Sequence, residues 1–383
     1  MASGEPDGPA GFRIYTLDGG VAEDGRHDVA AVVSDTPGAA SAMFTRSRFA
    51  GPSVALSRTV TAARGVVVVS RNANVATGPA GDADARELRE LAGRAAGVDP
   101  QRLLVASTGV IGRRYPMDTL RQRLAASWPE GAGWSDFATA IMTTDTTSKL
   151  VRARVGAASI VGVAKGVGMI EPNMATLLTF FFTDAELDQA VLDETFREVV
   201  ETTFNALSID TDTSTSDTAA VFANGLAGPV SPTEFGAALH RVALELVTLI
   251  ARDGEGASKL LSVRVAGAAD RAQAKRVAKS VVNSPLVKTM VHGADPNWGR
   301  VVMAVGKCSD ELDISPDRVR VALCGMPVYP ELASDDELER LRVLMSGDTV
   351  PISVELGIGE AEFTAYGCDL SAGYVHLNSS YTS

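Results

Sequence analysis

The chain has 383 residues, 45% of them hydrophobic and 21% charged, which is too apolar for a disordered protein and enough for a large core spread over two or three folding units. Its net charge of −12 argues against a nucleic-acid-binding surface, because affinity for phosphate backbones depends on Lys and Arg neutralising their charge. The amino-terminal stretch lacks the basic start and apolar core of a secretory signal, and no apolar run approaches the ~20 residues that span a bilayer, so neither export nor a membrane partner is expected.

In chain order, residues 28–75 read as short β-rich segments at 29–33, 42–45 and 65–70, broken by turns. Residues 82–96 carry helix formers with Leu88 and Leu91, and a β-like run at 103–107 leads into Thr108 and Gly109. Helices are expected at about 116–127 and 135–142, then an apolar β-prone stretch at 177–183. Residues 184–207 read as a long helix, with Leu187, Val191, Leu192, Phe196 and Val199 at helical spacing. A second helix covers 232–251, with Pro232 in its first turn and Ser231 as N-cap; others are expected at 268–281 and 334–345. Between them lie β-prone runs at 261–265, 301–305, 319–323 and 352–356. The alternation predicts a layered α/β or α+β protein whose helices cover the outer faces of its sheets. Cys308, Cys324 and Cys368 cannot all pair with one another and form no C-x-x-C motif, which fits a reducing cytoplasm with the cysteines as small core residues and gives no metal site.

The run from Lys165 to Thr179 limits most what the chain can be. Gly166 and Gly168 supply unusual dihedrals, Pro172 stiffens the approach, and an apolar strand anchors the chain beyond Thr176. If the Ala175-Thr176 bond breaks, Thr176 acquires an α-amine beside its own hydroxyl, a base of pKa about 7.7–8.0 next to a nucleophile, and no histidine is needed. The residues alone leave a second explanation open, an ordinary buried strand after a Gly/Pro loop.

Lys165-Gly-Val-Gly-Met-Ile-Glu-Pro-Asn-Met-Ala-Thr-Leu-Leu178 resembles the self-processing signature of the ornithine acetyltransferase family, the glutamate N-acetyltransferases. Further matches fall in order at 71–78, 107–112, 142–146, 208–218, 253–257, 292–300 and 378–383. The resemblance implies a four-layer α/β/β/α sandwich with a smaller carboxy-terminal α/β part. It also implies self-cleavage between Ala175 and Thr176 into an alpha chain, 1–175, and a beta chain, 176–383, that fold as one unit and assemble as a heterotetramer or larger. Thr176 would be the nucleophile in ping-pong acetyl transfer from N-acetylornithine to glutamate, with Thr108 and Gly109 stabilising the oxyanion. Thr143, Lys165, Glu255, Asn378 and Ser383 would contact substrate, Lys165 suiting a carboxylate and Glu255 an ammonium group. No cofactor and no metal are implied. Taken singly, most have a plainer reading: Thr108 and Gly109 as a strand-to-loop turn, Lys165 as a solvated charge, Glu255 as a loop or helix-cap residue, and Asn378 and Ser383 as a frayed tail.

Other signals are weaker. Residues 210–217 place oxygens at alternate positions like a calcium loop, but Thr215 stands where the turn glycine belongs and Val221 where the bidentate glutamate belongs, so a hydrogen-bonded strand or loop near the site is expected. Glu171 occupies the third glycine position of a dinucleotide fingerprint. His292 and Asp295 suggest a triad, but four scattered histidines favour core or loop roles. Three departures from the common pattern of the family, Glu171, Leu178 and Thr211, resemble the branch found in clavulanic-acid gene clusters, so the pathway is open between antibiotic and arginine biosynthesis. Two other functions compete: a self-processed aminopeptidase or amidase that uses water as acceptor, and an unprocessed amino-acid-binding protein without chemistry.

Overall fold

The structure, a computed structural model, describes residues 8–22, 24–125, 128–129, 131–171, 177–331 and 334–379. The chain divides into two compact units, one of Met1–Gly166, Pro172–Asn205 and Thr213–Leu246, the other of Val167–Glu171, Ala206–Asp212 and Val247–Ser383.

The strands of the first unit are β1 (Phe12–Leu17), β2 (Val29–Ser34), β3 (Ala39–Phe44), β4 (Gly65–Val69), β5 (Leu103–Ser107), β6 (Lys149–Val155), β7 (Ala158–Lys165), β8 (Leu178–Glu186) and β9 (Thr218–Pro229). Its helices are α1 (Pro52–Ser57), α2 (Gly78–Ala96), α3 (Met117–Ala125), α4 (Trp134–Ala140), α5 (Gln189–Thr202) and α6 (Pro232–Arg252), whose last turn passes into the second unit. One sheet runs β1-β2-β4-β5 and the other β3-β9-β8-β7-β6; only the β4-β5 and β8-β9 pairs are parallel. The second sheet thus pairs β8 and β9, which lie after residue 176, with β7 and β3, which lie before it.

Period-two alternation assigns the faces. Ala30, Val32, Val66, Val68, Leu104 and Ala106 of the first sheet form one buried cluster with Val161, Val163, Leu178, Phe180, Phe182, Ala220 and Phe222 of the second. Phe182 is central to it, stacked on Phe222 and in ring contact with Phe12, Trp134 and Phe137. The opposite face of the first sheet, including Val29, Val33, Val67, Val69 and Val105, packs on Ala85, Leu88 and Ala92 of α2 and Leu120 and Leu124 of α3. On the far face of the second sheet, Phe181 meets Phe196 of α5, and Gly162 leaves the space filled by Val242 and Leu246 of α6. This is the expected four-layer α/β/β/α arrangement.

The second unit holds a sheet of β10 (Leu260–Ala268), β11 (Arg320–Leu323), β12 (Met326–Tyr329), β13 (Thr349–Glu355) and β14 (Ala361–Cys368) in the order β12-β11-β13-β10-β14, with β10-β13 parallel. Its helices are α7 (Arg271–Val282), α8 (Pro285–His292), α9 (Gly299–Gly306), α10 (Asp335–Met345) and α11 (Ala372–Asn378). Val263, Val265 and Ile352 pack with Val277 and Val281 of α7, Val301 and Ala304 of α9 and Leu341 of α10. Ser334 caps α10 in a reciprocal box with Glu337, at the start that the sequence predicts.

Two expectations are corrected. Residues 301–305 are helical, not extended: Val301, Ala304 and Val305 are buried while Val302 and Met303 are not, a helical spacing hidden because all five are apolar. The long helix expected over 184–207 is shorter, because β8 continues to Glu186 and α5 begins only at Gln189. Asp184 stays with the sheet, its carboxylate accepting from the backbone N–H groups of Ser159 (2.7 Å) and Ala10 (2.9 Å). Among the described residues, no helix is long and apolar enough to cross a membrane.

Candidate active site

Thr108 and Gly109 leave the end of β5 in a turn tied to the segment after β4. Thr108 N donates to Val69 O (3.0 Å) and Val110 N to Arg71 O (3.2 Å). Gly109 has φ 125°, and a Cβ there would fall 2.1 Å from the Arg71 carbonyl carbon, so the close approach of the two segments requires glycine.

Lys165, the last residue of β7, reaches this turn. Its Nζ donates to Thr108 Oγ1 (2.9 Å) and to Thr143 Oγ1 (3.0 Å), uniting three residues that the sequence singled out separately. Thr108 and Lys165 are buried, so Lys165 is not the solvated charge of the plainer reading, whereas Thr108 and Gly109 do form the strand-to-loop turn. Because the ammonium occupies an oxygen lone pair, the Thr108 hydroxyl keeps its own proton to donate elsewhere and is polarised toward doing so.

Two carboxylates lie behind this group. Asp145 Oδ1 accepts from Lys149 Nζ (2.7 Å) and Gly166 N (2.8 Å), and its Oδ2 from Thr143 N (3.1 Å). Burial pushes the Asp145 carboxyl up, but the charges of Lys165 and Lys149 outweigh it and hold the group below the ordinary carboxylate range. Asp217, just before β9, behaves in the opposite way. Burial raises it well above the usual range despite the hydroxyls of Ser214 and Thr45 and the charge of Lys165, and its Oδ2 has no hydrogen-bond partner among the described residues. Sequence reasoning missed Asp145, Lys149 and Asp217 as functional residues. The available signal was a carboxylate inside each of two matched motifs.

In the second unit, Glu255 and Asn378 meet, Asn378 Nδ2 donating to Glu255 Oε2 at 2.8 Å. Glu255 N donates to Val167 O (2.8 Å), and a Cβ on Gly168 would fall 2.6 Å from the Glu255 carboxyl carbon, so the small residue makes room for the acid. Asp210 accepts from the N–H groups of Met169 (2.6 Å) and Ile170 (2.8 Å), which makes 210–217 a hydrogen-bonded loop at its start. Burial and the nearby Asp210 and Glu255 carboxylates push the Tyr374 hydroxyl up to about 12. Glu171, one of the three departures from the common pattern, pairs with Lys279 (3.2 Å) and accepts from Asn283 Nδ2 (3.2 Å).

His292 pairs with Asp369 (2.7 Å), not with Asp295, and Ser258 Oγ donates to the same Asp369 oxygen (2.6 Å). The carboxylate therefore sits between serine and imidazole, an order that cannot activate the serine as a triad would. Among the described residues, no group of three or more His, Cys, Asp or Glu side chains could hold a metal ion. Ala175, Thr176 and Ser383 lie outside the described residues.

The family model described as "ArgJ family" matches residues 13–383. The chain is 58% identical to glutamate N-acetyltransferase Oat2 of Streptomyces clavuligerus, over 100% of both chains. It is 52% identical to the arginine biosynthesis bifunctional protein ArgJ of Rhodococcoides fascians, over 98% of this chain and 94% of that one. Among solved structures, the arginine biosynthesis bifunctional protein ArgJ of Bacillus halodurans matches with 38% identity and a TM-score of 0.48, covering 51% of this chain and 95% of that one.

Proposed function

The chain belongs to the ArgJ family, and on that footing we propose that it is a glutamate N-acetyltransferase of arginine biosynthesis, moving the acetyl group of N-acetylornithine to glutamate. The observation that carries the reading to the residues is Lys165 Nζ held between the hydroxyls of Thr108 and Thr143. It sets a cation beside a polarised hydroxyl donor, as is needed where a carboxylate must be held while an oxyanion forms.

In the proposed mechanism the Ala175-Thr176 bond is first broken autocatalytically. The Thr176 hydroxyl then attacks the acetyl carbonyl carbon of N-acetylornithine while its α-amine takes the hydroxyl proton. Thr108 and the Gly109 N–H donate to the oxyanion. Collapse breaks the amide C–N bond, the α-ammonium returns the proton to the departing amine, and ornithine leaves an acetyl-threonine ester. Glutamate's amine attacks that ester, and the same groups act in reverse order to give N-acetylglutamate and free Thr176. Lys165 and Thr143 hold substrate from one side of the sequence, and Glu255, Asn378 and Ser383 contribute contacts from the other, with Glu255 toward an ammonium group. The processed protein is proposed as a cytoplasmic heterotetramer or larger assembly. A role in clavulanic-acid biosynthesis is a narrower proposal, supported by the pattern at Glu171, Leu178 and Thr211 and compatible with the same reaction.

Label from acetyl-carbon-labelled N-acetylornithine is expected on glutamate. Label released only as free acetate overturns the transferase reading in favour of an amidase.

A further inference from the structure

We propose that the buried Asp145–Lys149 pair is a positioning unit for the Thr108–Thr143–Lys165 group, acting on the reaction through those three residues without touching substrate. The inference rests on the acetyltransferase reading above.

The geometry is specific. Asp145 lies in the connection between α4 and β6, and Lys149 opens β6; their side chains are 0% and 1% exposed. One carboxylate oxygen accepts from Gly166 N, the residue directly after Lys165, and the other from Thr143 N. Thr143, and the chain directly after Lys165, are thus tied through their backbones to one anion. Gly166 has φ 147°, so the chain leaves β7 in a conformation that glycine permits and that the Asp145 bond secures. Lys149 fixes the anion in turn, its Nζ bonding Asp145 Oδ1 (2.7 Å) and Thr147 O (3.2 Å).

Stability alone explains such a pair poorly. Apolar residues of similar volume commonly replace a buried ion pair at no cost or with a gain, whereas removal of one partner strands the other charge. What an apolar pair cannot supply is an acceptor for the Thr143 and Gly166 N–H groups. Without it, the segments carrying Thr143 and Lys165 are free to drift, and a misplacement of about 1 Å at a reacting centre costs up to about a hundredfold in rate.

The full-length protein is compared with K149M, the double variant D145L/K149M and D145N, each measured for Tm, for cleavage on a denaturing gel, and for kcat and KM with N-acetylornithine per cleaved molecule. K149M is expected to lower Tm, and the double variant to recover only part of that loss, because the Thr143 and Gly166 N–H groups stay without their acceptor, while kcat/KM stays down by about ten- to a hundredfold. Failure to cleave at the partly recovered Tm counts as the same loss. Recovery of kcat/KM together with Tm overturns the inference, since the pair would then serve folding alone. If the double variant is insoluble, D145N decides: it keeps the volume and loses the charge and one acceptor, and full activity in it overturns the inference. A wild-type protein that transfers no acetyl group refutes the acetyltransferase reading instead, which this comparison separates from a failure of the positioning role.

Discussion

Lys165 Nζ lies 2.9 Å from Thr108 Oγ1, so a cation from the end of β7 in one sheet meets a hydroxyl just beyond the end of β5 in the other. The contact joins the two sheets of the first unit at the point where the proposed chemistry needs a charge and a donor together. It also separates two roles that substitution can distinguish.

Thr108→Ala removes a donor aimed at the oxyanion, and loss of one such donor costs about 10²–10³ in kcat. Lys165→Met removes both the proposed carboxylate partner and the cation that polarises Thr108, so it is expected to raise KM for N-acetylornithine as well as lower kcat. Steady-state kinetics on the two variants checks the division. A rise in KM in Thr108→Ala as large as that in Lys165→Met would contradict it.

Gly109→Ala should be poorly tolerated for backbone reasons. The new Cβ would meet the Arg71 backbone at 2.1–2.5 Å, at a φ of 125° that L residues rarely adopt. We expect a loss of at least about 2 kcal/mol, read as a lower urea midpoint, with activity lost even in the fraction that folds.

Much of the fold is legible in sequence, and the parts that are not have physical causes. β5 at 103–107 and the capped start of α10 come directly from local pattern, since a short apolar run ending at a Thr-Gly turn and a Ser-x-x-Glu box each favour one conformation. β7 escapes sequence reading because Ala158, Ser159, Gly162 and Ala164 dilute its β-branched residues, while full burial removes the alternation that would mark a half-exposed strand. Residues 301–305 mislead for a related reason, an apolar run that carries no period. At the site, motif resemblance singles out Thr108, Thr143 and Lys165, but not the carboxylate beneath them. Asp145 acts through backbone N–H groups of residues brought close only by folding, and no spacing in the chain signals that.

Asp217 gives a pH signature. Burial raises its carboxyl well above the usual range, so the folded state keeps a proton that the unfolded chain releases near pH 3.9. The stability tied to that proton is complete below the unfolded value and is lost as pH rises through the folded one. Asp217→Asn lacks the titration, so the variant should gain on the wild type with rising pH, by up to about 1.4 kcal/mol per unit. Urea unfolding of both proteins between pH 4 and 8 measures the difference, and a pH-independent difference would contradict it.

The three free cysteines should differ in reactivity. Cys368 is buried, and burial pushes its thiol up to about 11 against the weaker opposing charge of Lys288. Cys308 and Cys324 are partly exposed. With an aromatic disulfide reagent at pH 8, Cys368 is expected to label only on unfolding, because the thiolate is the reacting species. Labelling of Cys368 at the rate of a free thiol would show that β14 opens readily.

In the proposed mechanism Thr176 is an amino-terminal nucleophile that carries the acetyl group. Intact mass spectrometry of the purified protein, before and after brief exposure to N-acetylornithine, reads both the cut and the acetyl group. Two fragments of roughly 18 and 22 kDa are expected, from the residue share of 39.9 kDa on either side of the Ala175-Thr176 bond, with the larger gaining one acetyl group. An active preparation that runs as one uncut, unacetylated chain would contradict that mechanism.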